Sequence, residues 1–274
     1  PVFKVIEESD FTHFEYEPFY NTYLRRKSND QTFNVVLKGV EQRLIRPQFH
    51  GRDHIHALRW LHLLKQNHQE TREAFHQGVF CMNVISEEGK EDNLMDALSY
   101  FTEKEAQYAK QQIQEGLLLF KNIFGYDSES LIAPRNVWGG IVEKVANDGG
   151  VKYLQSLYGQ RVSNIGSKKL SVKRHFNGER NRYNQLYFVR NAYFEPSTRK
   201  EYNWIKECVQ KIDSAFSWKI PAIISTHRVN FIGTLVPENR EQNLVLLDKL
   251  LKAIITRWPD VEFMSTDELG TLYK

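Results

Sequence analysis

His50, Asp53 and His54 fall together in the run Pro47-Gln48-Phe49-His50-Gly51-Arg52-Asp53-His54-Ile55-His56. Imidazole is the commonest transition-metal side-chain ligand, and His50 and His54 project the same way if the turn after His50 is helical. They are therefore candidate metal ligands. An H-x3-H spacing also arises by chance, so it needs other polar groups delivered to the same place. His56 reads as a helix-face residue rather than a ligand, and His62, His68 and His76 read as helix residues facing solvent.

Periodicity predicts the elements that must position these side chains. Val2, Val5 and Ile6 suit a short helix, and Phe11, Phe14 and Tyr16 an extended segment ending at Pro18. A helix over 33–44 leads into a strand over 44–49 that delivers His50, and an amphipathic helix follows to about Asn67. A strand over 79–85 and a polar segment over 86–93 precede the clearest helix, 102–124. There Thr102 is the N-cap, Glu105 stands three residues on, and Gly125 is the stop. A strand over 131–133 closed by Pro134, a helix over 137–147 and a strand over 151–157 come next.

A strand over 185–189 ends at Arg190-Asn191, and a helix over 197–218 has Ser197 as its cap. A strand over 220–224 runs into Ser225-Thr226-His227. A helix over 243–258, a strand over 261–264 and a terminal helical turn capped by Ser265 complete the chain. Between 159 and 184 the pattern breaks down, and Lys168, Lys169, Lys173, Arg174, Arg180 and Arg182 meet a single acid, Glu179. That stretch reads as a solvated loop, with a seat for an anionic ligand group as the sharper alternative.

Alternating strands and helices without repeat or linker predict one α/β domain over residues 1–274, with a parallel sheet or a barrel. In such folds the loops after strand C-termini share one face. That rule gathers His50 with Asp53 and His54, then Asn136 with Trp138, then Arg190 with Asn191, then His227 with Arg228 and Asn230; Arg52, Asn136, Trp138, Arg190, Asn191, Arg228 and Asn230 are the expected substrate contacts. Titratable and amide groups recurring at strand ends are what a polar pocket requires. Asn136 has a second reading as a helix cap, and Arg190 as an ion-pair partner of Glu195. His227 is the hardest to assign to packing, because an apolar strand delivers it.

The net charge of +3 on 274 residues gives no excess that would point to nucleic acid, and no apolar stretch has the length of a membrane span. Cys81 and Cys208 fit no CxxC spacing and read as buried free thiols, which favours a reducing, cytoplasmic compartment. No basic-then-apolar signal segment opens the chain. Its first residue is Pro1 rather than Met, which favours a chain lacking its N-terminal part.

His50-Gly51-Arg52-Asp53-His54 resembles the two-histidine metal motif of the polysaccharide deacetylase (NodB-homology) superfamily, in which a strand ends in His-x-x-x-His. Ile223-Ile224-Ser225-Thr226-His227 similarly resembles that family's late strand ending in a catalytic histidine. Ala133-Pro134-Arg135-Asn136 is loosely similar to its groove-wall motif. The run 49–269 looks like a bacterial branch of the superfamily. The resemblance implies a distorted (β/α) barrel and a divalent metal, usually zinc, that activates water against an acetylated saccharide or glycoconjugate. It makes His50 and His54 metal ligands and His227 the acid. The family's paired aspartates, from an early strand, have no counterpart, since no Asp-Asp pair occurs here. Two expectations follow: the pair lies upstream of Pro1, or the chain keeps the barrel as a carbohydrate-binding or scaffold protein without catalysis. A glycosidase would need two well-placed carboxylates, and no convincing pair stands out.

Overall fold

Short apolar strands, capped helices and left-handed turn residues give this chain a mixed α/β fold with small parallel sheets. The structure is a computed structural model that describes residues 2–21, 31–80, 82–85, 91–167 and 169–273. The chain forms two compact units, Pro1–Lys152 with Arg161–Lys173, and Tyr153–Gln160 with Arg174–Lys274. Among the described residues no helix is long and apolar enough to cross a membrane. Pro1, Cys81, Lys168 and residues 86–90 of the predicted polar segment lie outside the described residues.

The first unit contains helices α1 (Val2–Glu8), α2 (Thr32–Glu41), α3 (Ala57–Lys65), α4 (Gln69–His76), α5 (Glu103–Phe124) and α6 (Gly140–Asp148), and strands β1 (Asn83–Ile85), β2 (Glu91–Asn93) and β3 (Ser130–Ile132). β1 and β2 pair antiparallel. One core joins Ile6, Phe11, Ile55, Trp60, Leu61, Leu64, Phe75, Val84 and Leu94. Trp60 meets Phe3 edge-on at 6.1 Å and Phe11 meets Phe75 at 5.5 Å. Each fully buried apolar side chain contributes about 1.5–3 kcal/mol. Truncating Trp60, which is 2% exposed, to alanine would cost about 3–5 kcal/mol.

Thr102 caps α5 by accepting from the Glu105 N–H at 3.2 Å, and Gly125 ends it at φ 77, both as predicted. Two neighbouring expectations fail. His56 does not stand on a helix face but is buried at the cap of α3. Its Nδ1 accepts from the Arg59 N–H at 3.4 Å, so its Nε2–H donates to the Ser99 carbonyl at 3.0 Å. No strand spans 44–49: Leu44 is exposed, Arg43 sits at φ 58, and Pro47 supplies no N–H. Only Phe49 pairs, in a single parallel bridge to Leu131. The reading of His68 and His76 as helix residues is met by α4 for His76, whereas His68 stands just outside and caps the helix by accepting from the Thr71 N–H at 3.4 Å.

In the second unit β4 (Tyr153–Ser156) pairs parallel with β7 (Leu186–Val189), Tyr153 opposite Leu186. Both strands are buried throughout, the signature of a sheet covered on both faces. β8 (Ala192–Tyr193) pairs parallel with β9 (Ile224–Ser225). The helices are α7 (Trp204–Ser217), α8 (Pro237–Arg257) and α9 (Thr266–Thr271). Ala192, Phe194, Cys208, Ile212, Leu250 and Ile254 form the core between α7, α8 and β8.

Several boundaries differ from the sequence reading. The range 159–184 holds β5 (Gly159–Val162) and β6 (Ser171–Arg174), where the chain passes between units; β6 is exposed along its length and so shows no apolar alternation. Ser197 caps nothing. Asn203 accepts from the Lys206 N–H at 3.0 Å and starts α7, while the Ser197 hydroxyl donates to Asn239 at 2.7 Å. α8 begins earlier than expected, at Pro237, whose missing N–H costs nothing in a first turn. Residues 261–264 form no strand, whereas Ser265 and Glu268 make the reciprocal capping box of α9.

Candidate functional site

In the first unit, Phe49 anchors the histidine loop. Its side chain is 2% exposed, its N–H donates to Ser128 Oγ at 3.0 Å, and its carbonyl accepts from the Ile132 N–H at 2.9 Å. Gly51 then turns the chain at φ 93, a conformation open to glycine at little cost. The loop brings the His50 and His54 rings to 5.2 Å between centroids. His50 Nδ1 lies 2.7 Å from the Ile132 carbonyl. A carbonyl only accepts, so Nδ1 carries the hydrogen and Nε2 the lone pair, the arrangement in which histidines bind metals.

Arg52 is a correction to its expected role in binding substrate. Its side chain is 4% exposed; Nε donates to Asp53 at 2.8 Å, Nη1 to Glu115, and Nη2 to the Tyr108 hydroxyl at 3.3 Å. Its guanidinium also lies 4.6 Å over the Tyr16 ring. Burial pushes the Asp53 carboxyl up against the pull of Arg52, and burial likewise pushes Tyr108 up to about 12. Asp53 is thus committed to Arg52. Among the described residues, no group of three or more His, Cys, Asp or Glu side chains could hold a metal ion. The two imidazoles suit a divalent cation's nitrogen donors, and the described residues do not supply the carboxylate side of the set.

Asn136 and Trp138 are also corrected. Trp138 is 1% exposed and its indole N–H donates to Glu143 at 3.2 Å, so no ring face is offered to a sugar. Asn136 is buried, and with Arg135 it turns through two successive left-handed positions, φ 51 and φ 60. Gly139, not Asn136, stands at the cap of α6. Asp96, which no sequence signal marked, is a buried carboxylate accepting from Arg135 Nε at 2.8 Å and Arg161 Nη2 at 3.3 Å.

In the second unit His227 follows β9, as expected, and its ring is exposed. Its Nδ1 lies 2.6 Å from Glu195 Oε1. Glu195 Oε2 accepts from the His227 N–H at 3.3 Å and from Asn230 Nδ2 at 2.8 Å. The carboxylate holds the hydrogen on Nδ1 and leaves Nε2 to give or take a proton; it also stabilises the imidazolium once formed. The alternative reading of Arg190 pairs it with Glu195, and the structure gives Glu195 to His227 instead. Glu195 stands just beyond β8, and the strand-end rule would have found it had so short a strand been legible.

Asn230 is framework rather than ligand contact. It is 0% exposed, accepts from the Ser197 N–H at 3.0 Å, and its carbonyl accepts from Asn243 at 2.7 Å. Asn191 is likewise a splint: its amide donates to the Pro221 carbonyl at 2.9 Å and accepts from the Ile223 N–H at 2.8 Å. Arg228 is exposed. Arg190 is half-buried and makes no ion pair with Glu195; its Nη1 donates to Ser225 Oγ at 3.4 Å. Burial pulls its guanidinium below the usual range, while Tyr193 and Glu195 act to raise it.

No known protein family matches this chain, and no curated protein matches it either.

Proposed function

We propose that this chain is a metal-dependent hydrolase that removes acetyl groups from an N- or O-acetylated saccharide, on a distorted (β/α) barrel of the polysaccharide deacetylase type. The observation that carries the reading is the His227–Glu195 pair, 2.6 Å apart, with the imidazole exposed and the carboxylate nearly buried. In this reading His227 Nε2 is the atom that delivers a proton to the departing amine or alkoxide, and Glu195 stabilises the positive ring that donates it. His50 and His54 are the nitrogen donors for a divalent cation, zinc by the family resemblance. Such a cation, when bound, polarises a carbonyl and acidifies a water. Arg228 and Arg190 are the cationic contacts to substrate, and a cytoplasmic setting belongs to the same proposal.

Acetate release from N-acetylated glucosamine oligosaccharides, measured with added zinc and with chelator, tests this reading. Release that stops with chelator and falls steeply in His227→Ala supports it. No bound metal together with no release would sink it. A second reading, a saccharide-binding protein without catalysis, is favoured by the missing third ligand among the described residues. Saccharide binding without acetate release at any metal concentration would select it.

A further inference from the structure

Arg52, Arg59 and Arg135 each have a carboxylate oxygen within 2.8 Å, on Asp53, Glu105 and Asp96. Arg190 has none. Its backbone N–H extends the β4–β7 ladder by donating to the Ser156 carbonyl at 3.0 Å, which fixes where its side chain starts. From there Nη1 reaches only Ser225 Oγ, at the long distance of 3.4 Å, and Nε is buried with no partner. The acid near enough to act on this guanidinium, Glu195, has both oxygens engaged by His227 and Asn230.

A partly desolvated cation without a counter-charge costs free energy, and violations of this kind are expected at functional sites. The group that best completes a guanidinium fork is a planar oxyanion. We propose that Arg190 seats a carboxylate of the ligand, in the same cluster as Ser225, Glu195 and His227. On the deacetylase reading this makes the substrate class an acidic saccharide. That last step rests on the reading above; the carboxylate seat does not.

Calorimetric titration of the intact protein with glucuronate, glucose and acetate tests the proposal without requiring turnover. Glucuronate is expected to bind about tenfold or more tighter than glucose, with Arg190→Gln reducing it to the level of glucose. Acetate binding as well as glucuronate would keep the seat and remove the saccharide from it. Equal binding of glucuronate and glucose, or glucuronate binding unchanged in Arg190→Gln, would overturn the seat. Thermal unfolding of Arg190→Met adds an independent reading: a midpoint held or raised fits the removal of an uncompensated charge, and a fall of more than about 5 °C would mark Arg190 as framework and overturn the proposal. Absence of acetate release in the earlier assay leaves these binding outcomes standing, so the two readings fail separately.

Discussion

Glu195 Oε1 accepts from His227 Nδ1 at 2.6 Å across 32 positions of sequence, while Arg190, five residues from Glu195, meets no carboxylate among the described residues. The acid is thereby spent on setting a histidine tautomer rather than on neutralising the nearest cation.

Replacing Glu195 with glutamine keeps the shape but removes the charge that stabilises the imidazolium. On the proposed deacetylase function, acetate release is expected to fall by about 10²-fold in Glu195→Gln and by about 10²–10⁴-fold in His227→Ala. Steady-state rates on an acetylated oligosaccharide check this, with circular dichroism confirming that both variants fold.

Arg52→Met would leave Asp53 and Glu115 facing one another without the guanidinium that joins them. Breaking such a buried pair costs about 3–5 kcal/mol, which a urea midpoint would register. If His50 and His54 hold zinc as proposed, Arg52, which lies between them in the chain, should on substitution also lower zinc affinity measured on the folded fraction.

Acid should weaken the first unit through Glu105. Burial raises its pKa, but the Arg59 hydrogen bond and charge, the Phe101 N–H and His56 outweigh it and hold the carboxyl at about 2, from an ordinary 4.5. A depressed folded-state pKa gives stability that is present above the unfolded value and lost as pH falls through the folded one. The loss therefore runs from about pH 4.5 down to 2 and, after discounting for solvent screening, amounts to about 2 kcal/mol. Asp53, raised by burial, works in the opposite sense. Glu105→Gln should flatten the acid limb of stability measured by urea titration at stepped pH.

Gly116→Ala sets helix propensity against space. Alanine is favoured by about 1 kcal/mol inside a helix, but its Cβ would stand 2.7 Å from two Phe49 ring carbons and 3.1 Å from Arg52 Cβ. Overpacking of about 1–3 kcal/mol should win, lowering the thermal midpoint and shifting the loop that carries His50.

Cys208 is buried, and burial pushes its thiol up to about 11. In a Cys81→Ser background it should resist iodoacetamide at pH 8 in the native protein and take up one equivalent in urea, as read by mass.

Legibility followed chemistry that is local in the chain. Thr102, Gly125 and the Ser265 cap were readable because caps depend on neighbours three or four positions away. His227 was readable because a strand delivers it. Arg52, Trp138 and Asn230 misled, because a polar residue after a strand looks alike whether it faces a ligand or is consumed by a distant partner. Glu115, Glu143 and Glu195 are those partners, set by tertiary packing. The two-residue strands β8 and β9 carry too few positions for any period to show.

Those two strands are too short for their ladder to hold the His227 turn by itself. The work passes to side-chain amides: Asn191 clamps the entry to β9, and Asn239 and Asn243 donate to the carbonyls of Val229 and Asn230 beyond it. The turn should accordingly open as one small cooperative unit in hydrogen exchange, with the His227 and Asn230 amides losing protection together when any one of these asparagines is removed, while β4 and β7 keep theirs.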